Sequence, residues 1–177
     1  MYNIHKNIFS DSEKDEIKNI INNKKKNIIN IFTEGKSKPI DVILKNNEAI
    51  INEDLGKIYF DIKDLPNHII DKLLQFAKDY EPNATFHEAV YTEYNVKYGQ
   101  PKLNVHKDRT DLLILIDYQQ DSNTQWDLIL EEKQITLENN DALMFFPGSQ
   151  DHGRVEKIFS ENQYVAMIFF YFDRNNV

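Results

Sequence analysis

The chain has 177 residues, 41% of them apolar and 28% charged, which suits one domain with a real core. Lys and Arg number 21 against 29 Asp and Glu, so the formal charge is −8 and a protein that tracks nucleic-acid phosphates is disfavoured. There is no cysteine, which excludes disulfides, thiolate metal sites, iron–sulfur clusters and thiol nucleophiles.

The opening residues lack the apolar run of a signal peptide, and the longest apolar stretch, 164–172, is too short to span a bilayer. The expectation is a cytoplasmic protein with no membrane partner. Ser10 and Glu13 have the spacing of a capping box, and Ile17, Ile20 and Ile21 follow at helical spacing. That predicts a helix over about 11–31, with Lys24, Lys25 and Lys26 on its solvated face. A second helix is predicted from Pro66 to about Tyr80, its apolar face made by Ile69, Ile70, Leu73, Leu74 and Ala77. Residues 1–85 read mostly as helix with short strands, a helix-rich support.

Beyond residue 85 the texture changes to short apolar or alternating runs. Strands are predicted at 86–96, 103–108, 112–117, 126–130, 134–137, 142–146, 153–158 and 163–172, separated by polar turns. Many short strands at this spacing point to a sandwich, barrel or jelly roll, with the helices packed on one sheet from outside. No linker divides the chain, so 1–177 is read as a single domain with its core in 86–173.

Two of the five histidines stand in informative settings. In His106-Lys107-Asp108, strand alternation would aim the imidazole and the carboxylate at the same space. His152 follows the apolar strand 142–146 and a turn. Two imidazoles and one carboxylate make a facial triad, which suits non-haem Fe(II) and leaves positions open; zinc accepts the same ligand types. The plain alternative is that both histidines are structural. His87 reads as structural, and His5 and His68 are assigned no role. Asp151 is a candidate acceptor that would orient His152.

Three stretches together resemble the 2-oxoglutarate- and Fe(II)-dependent oxygenases, in particular their prolyl-hydroxylase-like branch. The first is 94–108, with Tyr94, the Gly99 turn and the His106-x-Asp108 triplet. The second is 140–147, the strand that leads towards the distal histidine. The third is 152–158 followed by 163–170, similar to the last two core strands. The resemblance implies an α+β, mainly β protein with a double-stranded β-helix (jelly-roll) core. It implies Fe(II) held by His106, Asp108 and His152, with 2-oxoglutarate as co-substrate and O2 as oxidant. The reaction would be hydroxylation of an amino acid, a peptide residue or a small metabolite.

One position departs from the family's pattern. The family usually places an Arg or Lys on the final core strand for the far carboxylate of 2-oxoglutarate, and Gln163 stands there instead. Arg154, two residues past His152, and Tyr98 are the other candidates to hold the co-substrate. Arg109 either borders the pocket mouth or pairs with Asp111. Trp126, the only tryptophan, is a packing residue or a substrate contact. Two other readings stay open: a cupin-like metal enzyme that does not use 2-oxoglutarate, and a non-catalytic jelly-roll binding module. The oligomeric state is not legible.

Overall fold

A computed structural model describes residues 2–33, 48–62, 64–120 and 124–174. Eleven strands and two helices are assigned within them. The N-terminal half supplies β1 (Asn3–His5), α1 (Asp11–Asn27), β2 (Asn30–Thr33), β3 (Glu48–Asn52), β4 (Lys57–Asp61) and α2 (Asn67–Tyr80). The remainder supplies β5 (Ala84–Asn95), β6 (Leu112–Gln120), β7 (Leu128–Leu130), β8 (Lys133–Ile135), β9 (Ala142–Phe145), β10 (His152–Arg154) and β11 (Tyr164–Arg174).

An eight-stranded sheet runs in the order β1-β9-β6-β11-β5-β4-β3-β2, and a three-stranded sheet in the order β10-β7-β8. All pairs are antiparallel except β2 with β3. The large sheet is covered on both faces, so its strands read as nearly continuous apolar runs. On β6, Leu112, Ile114 and Ile116 join the core beneath the helices, while Leu113 and Leu115 join the core shared with the small sheet. On β11, Ala166, Ile168, Phe170 and Phe172 take the helix side, and Val165 and Met167 the inner side. Period two thus sorts residues between two cores.

The helices form for the expected reasons. Ser10 Oγ accepts from the Glu13 N–H at 3.3 Å, and Glu13 Oε2 accepts from the Ser10 N–H at 2.7 Å, completing the capping box. Ile17 and Ile21 of α1 and Ile69, Leu73 and Ala77 of α2 are buried against the large sheet. Lys25 also pins α1 to that sheet. Its ammonium donates to Glu93 at 2.7 Å and to the Tyr91 hydroxyl at 3.1 Å.

Four differences from the sequence reading affect the site. Helix α1 stops at Asn27, and residues 30–33 form a strand instead of the helix's last turn. The N-terminal half is not only helical support, because β1 to β4 extend the large sheet at both edges. Strand β10 ends at Arg154, and Ile158 beyond it is exposed. Residues 103–108 form no regular strand, for a physical reason. Leu103 O accepts from the Arg154 N–H, while His106 pairs with His152. Between these contacts two residues on one side, Asn104 and Val105, face one on the other, Gly153, and the extra residue interrupts the ladder.

Candidate active site

The site is built where segment 103–108 crosses β10. The His106 N–H donates to His152 O and the His152 N–H to His106 O, both at 2.9 Å. The two backbones therefore hold the imidazoles side by side, with ring centroids 4.4 Å apart. Asp108 is fixed by its own N–H, which donates to Pro147 O at 3.0 Å. The turn before His152 is held by Gln150, whose Oε1 accepts from the Phe146 N–H at 2.9 Å.

Each imidazole is oriented by a backbone carbonyl. His106 Nδ1 donates to Asn104 O at 2.8 Å and His152 Nδ1 to Gln150 O at 3.0 Å, given the tautomer that the carbonyls demand. Both Nε2 atoms then face Asp108: in the neutral imidazoles they offer lone pairs to a cation, and when protonated they donate to the carboxylate. His106 Nε2 lies 3.3 Å from Asp108 Oδ1, and His152 Nε2 lies 3.4 Å from Asp108 Oδ2. All three ligand atoms fall within 4.8 Å of one another. Burial works to raise the Asp108 carboxyl, but hydrogen bonds and charge from His106 and His152 outweigh it and hold it well below the usual carboxylate range. The Asp108 carboxylate in turn raises His106. The donor set, two nitrogens and one carboxylate oxygen, matches an octahedral cation with open positions, as in non-haem Fe(II) sites.

Gly153 lets the crossing happen. A Cβ there would meet Leu103 O, Val105 Cα and Val105 N, each at 2.9 Å. All three are backbone atoms and cannot swing away, so any side chain at 153 would push the His106 segment off β10.

The triad opens into a cavity of about 270 Å³ between the two sheets. Arg154 lines it and is buried, with 5% exposure. Its Nη1 donates to Trp126 O and its Nη2 meets Met167 Sδ. Its Nε has no partner, and the guanidinium lies 5.1 Å from the centre of the Trp126 ring. Among the described residues no carboxylate forms an ion pair with it. Burial pulls the guanidinium down, opposed chiefly by the Asp117 charge. Asp117 sits opposite Met167 in the sheet and is itself buried, with Oδ1 unpartnered. Burial pushes its carboxyl up to about 7, against the pull of Arg154 and with the Asp141 charge adding to the rise.

No family model and no curated protein matches the sequence. Solved structures do match. A prolyl hydroxylase from Trichoplax adhaerens, in complex with a hypoxia-inducible factor peptide fragment, superposes with a TM-score of 0.61 at 13% identity, covering 97% of this chain and 83% of that one. A prolyl-4-hydroxylase from Pseudomonas putida gives 0.56 at 11% identity, covering 98% and 93%. HygX from Streptomyces hygroscopicus, with nickel and 2-oxoglutarate bound, gives 0.58 at 9% identity, covering 98% and 83%. The chain has the fold of these oxygenases. Its β5, β11, β6 and β9 form the large jelly-roll sheet, and β10, β7 and β8 the facing one.

The fold also shows where the other sequence candidates lie. Tyr98 does not line the cavity. The chain turns after β5, with the Tyr98 N–H donating to Asn95 O at 2.9 Å, and the ring packs against the core under the helices. Gln163 does not line it either; its Oε1 accepts from the Ser160 N–H at 2.9 Å and closes a turn before β11. Trp126 is buried behind Arg154, its Nε1 donating to Val155 O at 2.7 Å, and it makes no part of the cavity wall. Arg109 is exposed in a small depression next to Asp108. It makes no ion pair with Asp111, whose carboxylate instead accepts from the Arg174 N–H. Asp151 is exposed near Lys107, and it is the Gln150 carbonyl that orients His152. His87 is paired with Asp173 at the surface.

Sequence reasoning missed most of the wall. Lys57, Tyr59, Thr92, Phe169 and Tyr171 line the cavity, and so does Tyr94, which carried the resemblance but was given no role. Tyr171 is pushed up by burial and by the negative charge of Asp108. The usable signal was alternation: 57 and 59 on β4, and 92 and 94 on β5, share the inward face by register.

Two predictions follow from this geometry. Gly153→Ala is expected to lower affinity for a divalent metal by about tenfold or more, as loss of ligand support does elsewhere. Calorimetric titration with Ni(II) checks it, and an unchanged affinity contradicts the crossing argument. The second concerns pH. Asp117 has a folded value above its unfolded one of about 3.9. Its contribution to stability is therefore fully present below about pH 4 and is lost as the pH rises through about 7. Asp117→Asn lacks this loss, so the melting temperature of the variant relative to the parent should rise between pH 5 and pH 8. A constant gap would show that the carboxyl is not buried as described.

Proposed function

We propose that the protein is a 2-oxoglutarate-dependent, non-haem Fe(II) oxygenase that hydroxylates an amino acid, a peptide residue or a small metabolite. The observation that carries this reading is the pairing, in one cavity, of a two-histidine, one-carboxylate cluster with a buried guanidinium that forms no ion pair among the described residues. The residues fit the implied groups. His106 and His152 would hold the metal through Nε2, and Asp108 through its carboxylate. Bound there, Fe(II) with 2-oxoglutarate and O2 supplies the oxidative step that yields succinate, CO2 and a hydroxylated product.

The protein's own contribution is orientation and exclusion. The carbonyls of Asn104 and Gln150 keep protons on Nδ1 and off the ligating nitrogens. Leu113, Leu115, Leu128, Phe145 and Phe169 keep the cavity wall dry. Arg154 is the residue we assign to the far carboxylate of the co-substrate. A planar guanidinium matches a carboxylate in charge and in fork geometry, and a buried, unneutralised one is costly until such a partner arrives. The Trp126 ring and carbonyl hold it in place. With a cation supplied from β10, the uncharged Gln163 no longer favours an enzyme without 2-oxoglutarate.

The relatives in structure span several substrates. One is described with a peptide fragment bound and another with hygromycin B. For this chain, an acidic surface of net charge −8 argues against nucleic acid as substrate. Among the described residues no helix is long and apolar enough to cross a membrane.

The test is an anaerobic titration of metal-free protein with Fe(II), then with 2-oxoglutarate, following the visible charge-transfer band of the chelate. The parent should develop the band. His106→Ala should abolish metal binding and band together. Arg154→Met should keep metal binding and weaken 2-oxoglutarate binding by about a hundredfold, the scale of a lost buried charge pair. Metal binding without any band in the parent would overturn the assignment of the co-substrate.

A further inference from the structure

The same cavity holds a second cation that the proposed reaction leaves unused. Lys57, on β4, faces into it from the register position opposite Tyr94 and next to Asn52. Its ammonium lies over two aromatic rings, 5.1 Å from the centre of Tyr59 and 5.8 Å from that of Tyr94. Among the described residues it makes no ion pair. It is close enough to His106 for its charge to act against protonation of that imidazole.

Charge accounting shows what Lys57 lacks. With the proposed ligands bound, Fe(II) brings two positive charges and Arg154 one. Asp108 brings one negative charge and 2-oxoglutarate two, so that set is neutral, with Asp117 beside Arg154 driven towards its uncharged form by burial. Lys57 remains, on the wall of a partly enclosed cavity. The other acidic group on the wall is Glu88. It lies well down β5 from Tyr94: residues 94 to 88 span roughly 20 Å of strand. At that separation the two form no ion pair, which needs contact within about 4 Å. Arg154 sits deep and buried, whereas Lys57 is only half-buried and lies towards solvent.

We propose that Lys57 is the subsite for a carboxylate of the primary substrate, which is therefore a small carboxylic acid such as a free amino acid. This rests on the oxygenase reading and narrows its substrate class. The aromatic rings around the ammonium, Tyr59 and Tyr94, hold it in place by their faces and offer an apolar surface to the rest of the acid. A cavity of about 270 Å³ accommodates the co-substrate and a small acid together, and little more.

The test uses the full chain loaded with Ni(II), a redox-inactive stand-in, and 2-oxoglutarate. The standard amino acids and small aliphatic acids are titrated calorimetrically, each beside its own carboxamide. At least one acid should bind about tenfold or more tightly than its amide, as expected for a charge pair in a partly desolvated site. Lys57→Met keeps the aliphatic stem on the rings and should erase that preference, with a far smaller effect on 2-oxoglutarate affinity. Lys57→Arg should retain the preference. The same acid should stimulate succinate release from the Fe(II) enzyme in air. Equal binding of acid and amide overturns the assignment. So does a preference that survives in Lys57→Met, or failure of every acid to bind while 2-oxoglutarate binds normally. Failure of 2-oxoglutarate itself to bind the parent would overturn the oxygenase reading first, and is read from a separate titration.

Discussion

The site depends on one reciprocal backbone pair, the two 2.9 Å hydrogen bonds between His106 and His152. They join an irregular segment to the first residue of β10, and no longer ladder supports them. Everything the cluster needs follows from that pair. It brings the rings to 4.4 Å, it positions Asp108 two residues on, and it starts the strand that carries Arg154 inwards. Gly153 is the steric condition for it, since only a residue without Cβ allows three backbone atoms at 2.9 Å from that position. A single bulged residue between 103 and 106 is what separates the His106 and Asp108 side chains from the regular sheet while leaving them tied to it.

Electrostatics then divides the cavity. At the triad, a carboxylate is held ionised by two imidazoles. In the depth, a guanidinium is buried with a carboxyl, Asp117, that burial drives towards its neutral form. Such an arrangement is poor as a stabilising ion pair and good as a receptor for an anion, because the cation's charge is only partly used within the protein. Towards solvent, an ammonium is set over aromatic faces. The three charged features occupy one continuous space but come from different elements: the 103–108 segment, β10 and β4.

Much of this was legible in the sequence, and the parts that were not share a cause. The capping box at Ser10 and Glu13, the second helix and the apolar strands at 112–117 and 163–172 are local patterns, and each is realised. His106, Asp108 and His152 come together although the strand expected to carry the first two does not exist, because the spacing of His106 and Asp108 survives in the irregular segment. Tyr98 and Gln163 were misplaced because a face assignment depends on where a strand ends. β5 ends at Asn95 and a turn redirects Tyr98, while β11 begins only at Tyr164 and leaves Gln163 in the preceding turn. One residue of register reverses the face. Lys57 and Tyr59 were missed because β4 has five residues and lies in a half whose composition reads as helix. Their place in the cavity is set by pairing to β5, which is a tertiary fact.

The central claim is that the triad and Arg154 form a single receptor, for a divalent metal and for a dicarboxylate that bridges the two. The measurement that addresses it most directly is a crystal structure of the protein with Ni(II) and 2-oxoglutarate. The account predicts the metal on His106 Nε2, Asp108 and His152 Nε2, with the distal carboxylate of 2-oxoglutarate in hydrogen-bond contact with the Arg154 guanidinium. A metal bound elsewhere, or a co-substrate whose distal carboxylate turns away from Arg154 to another cation, would contradict it.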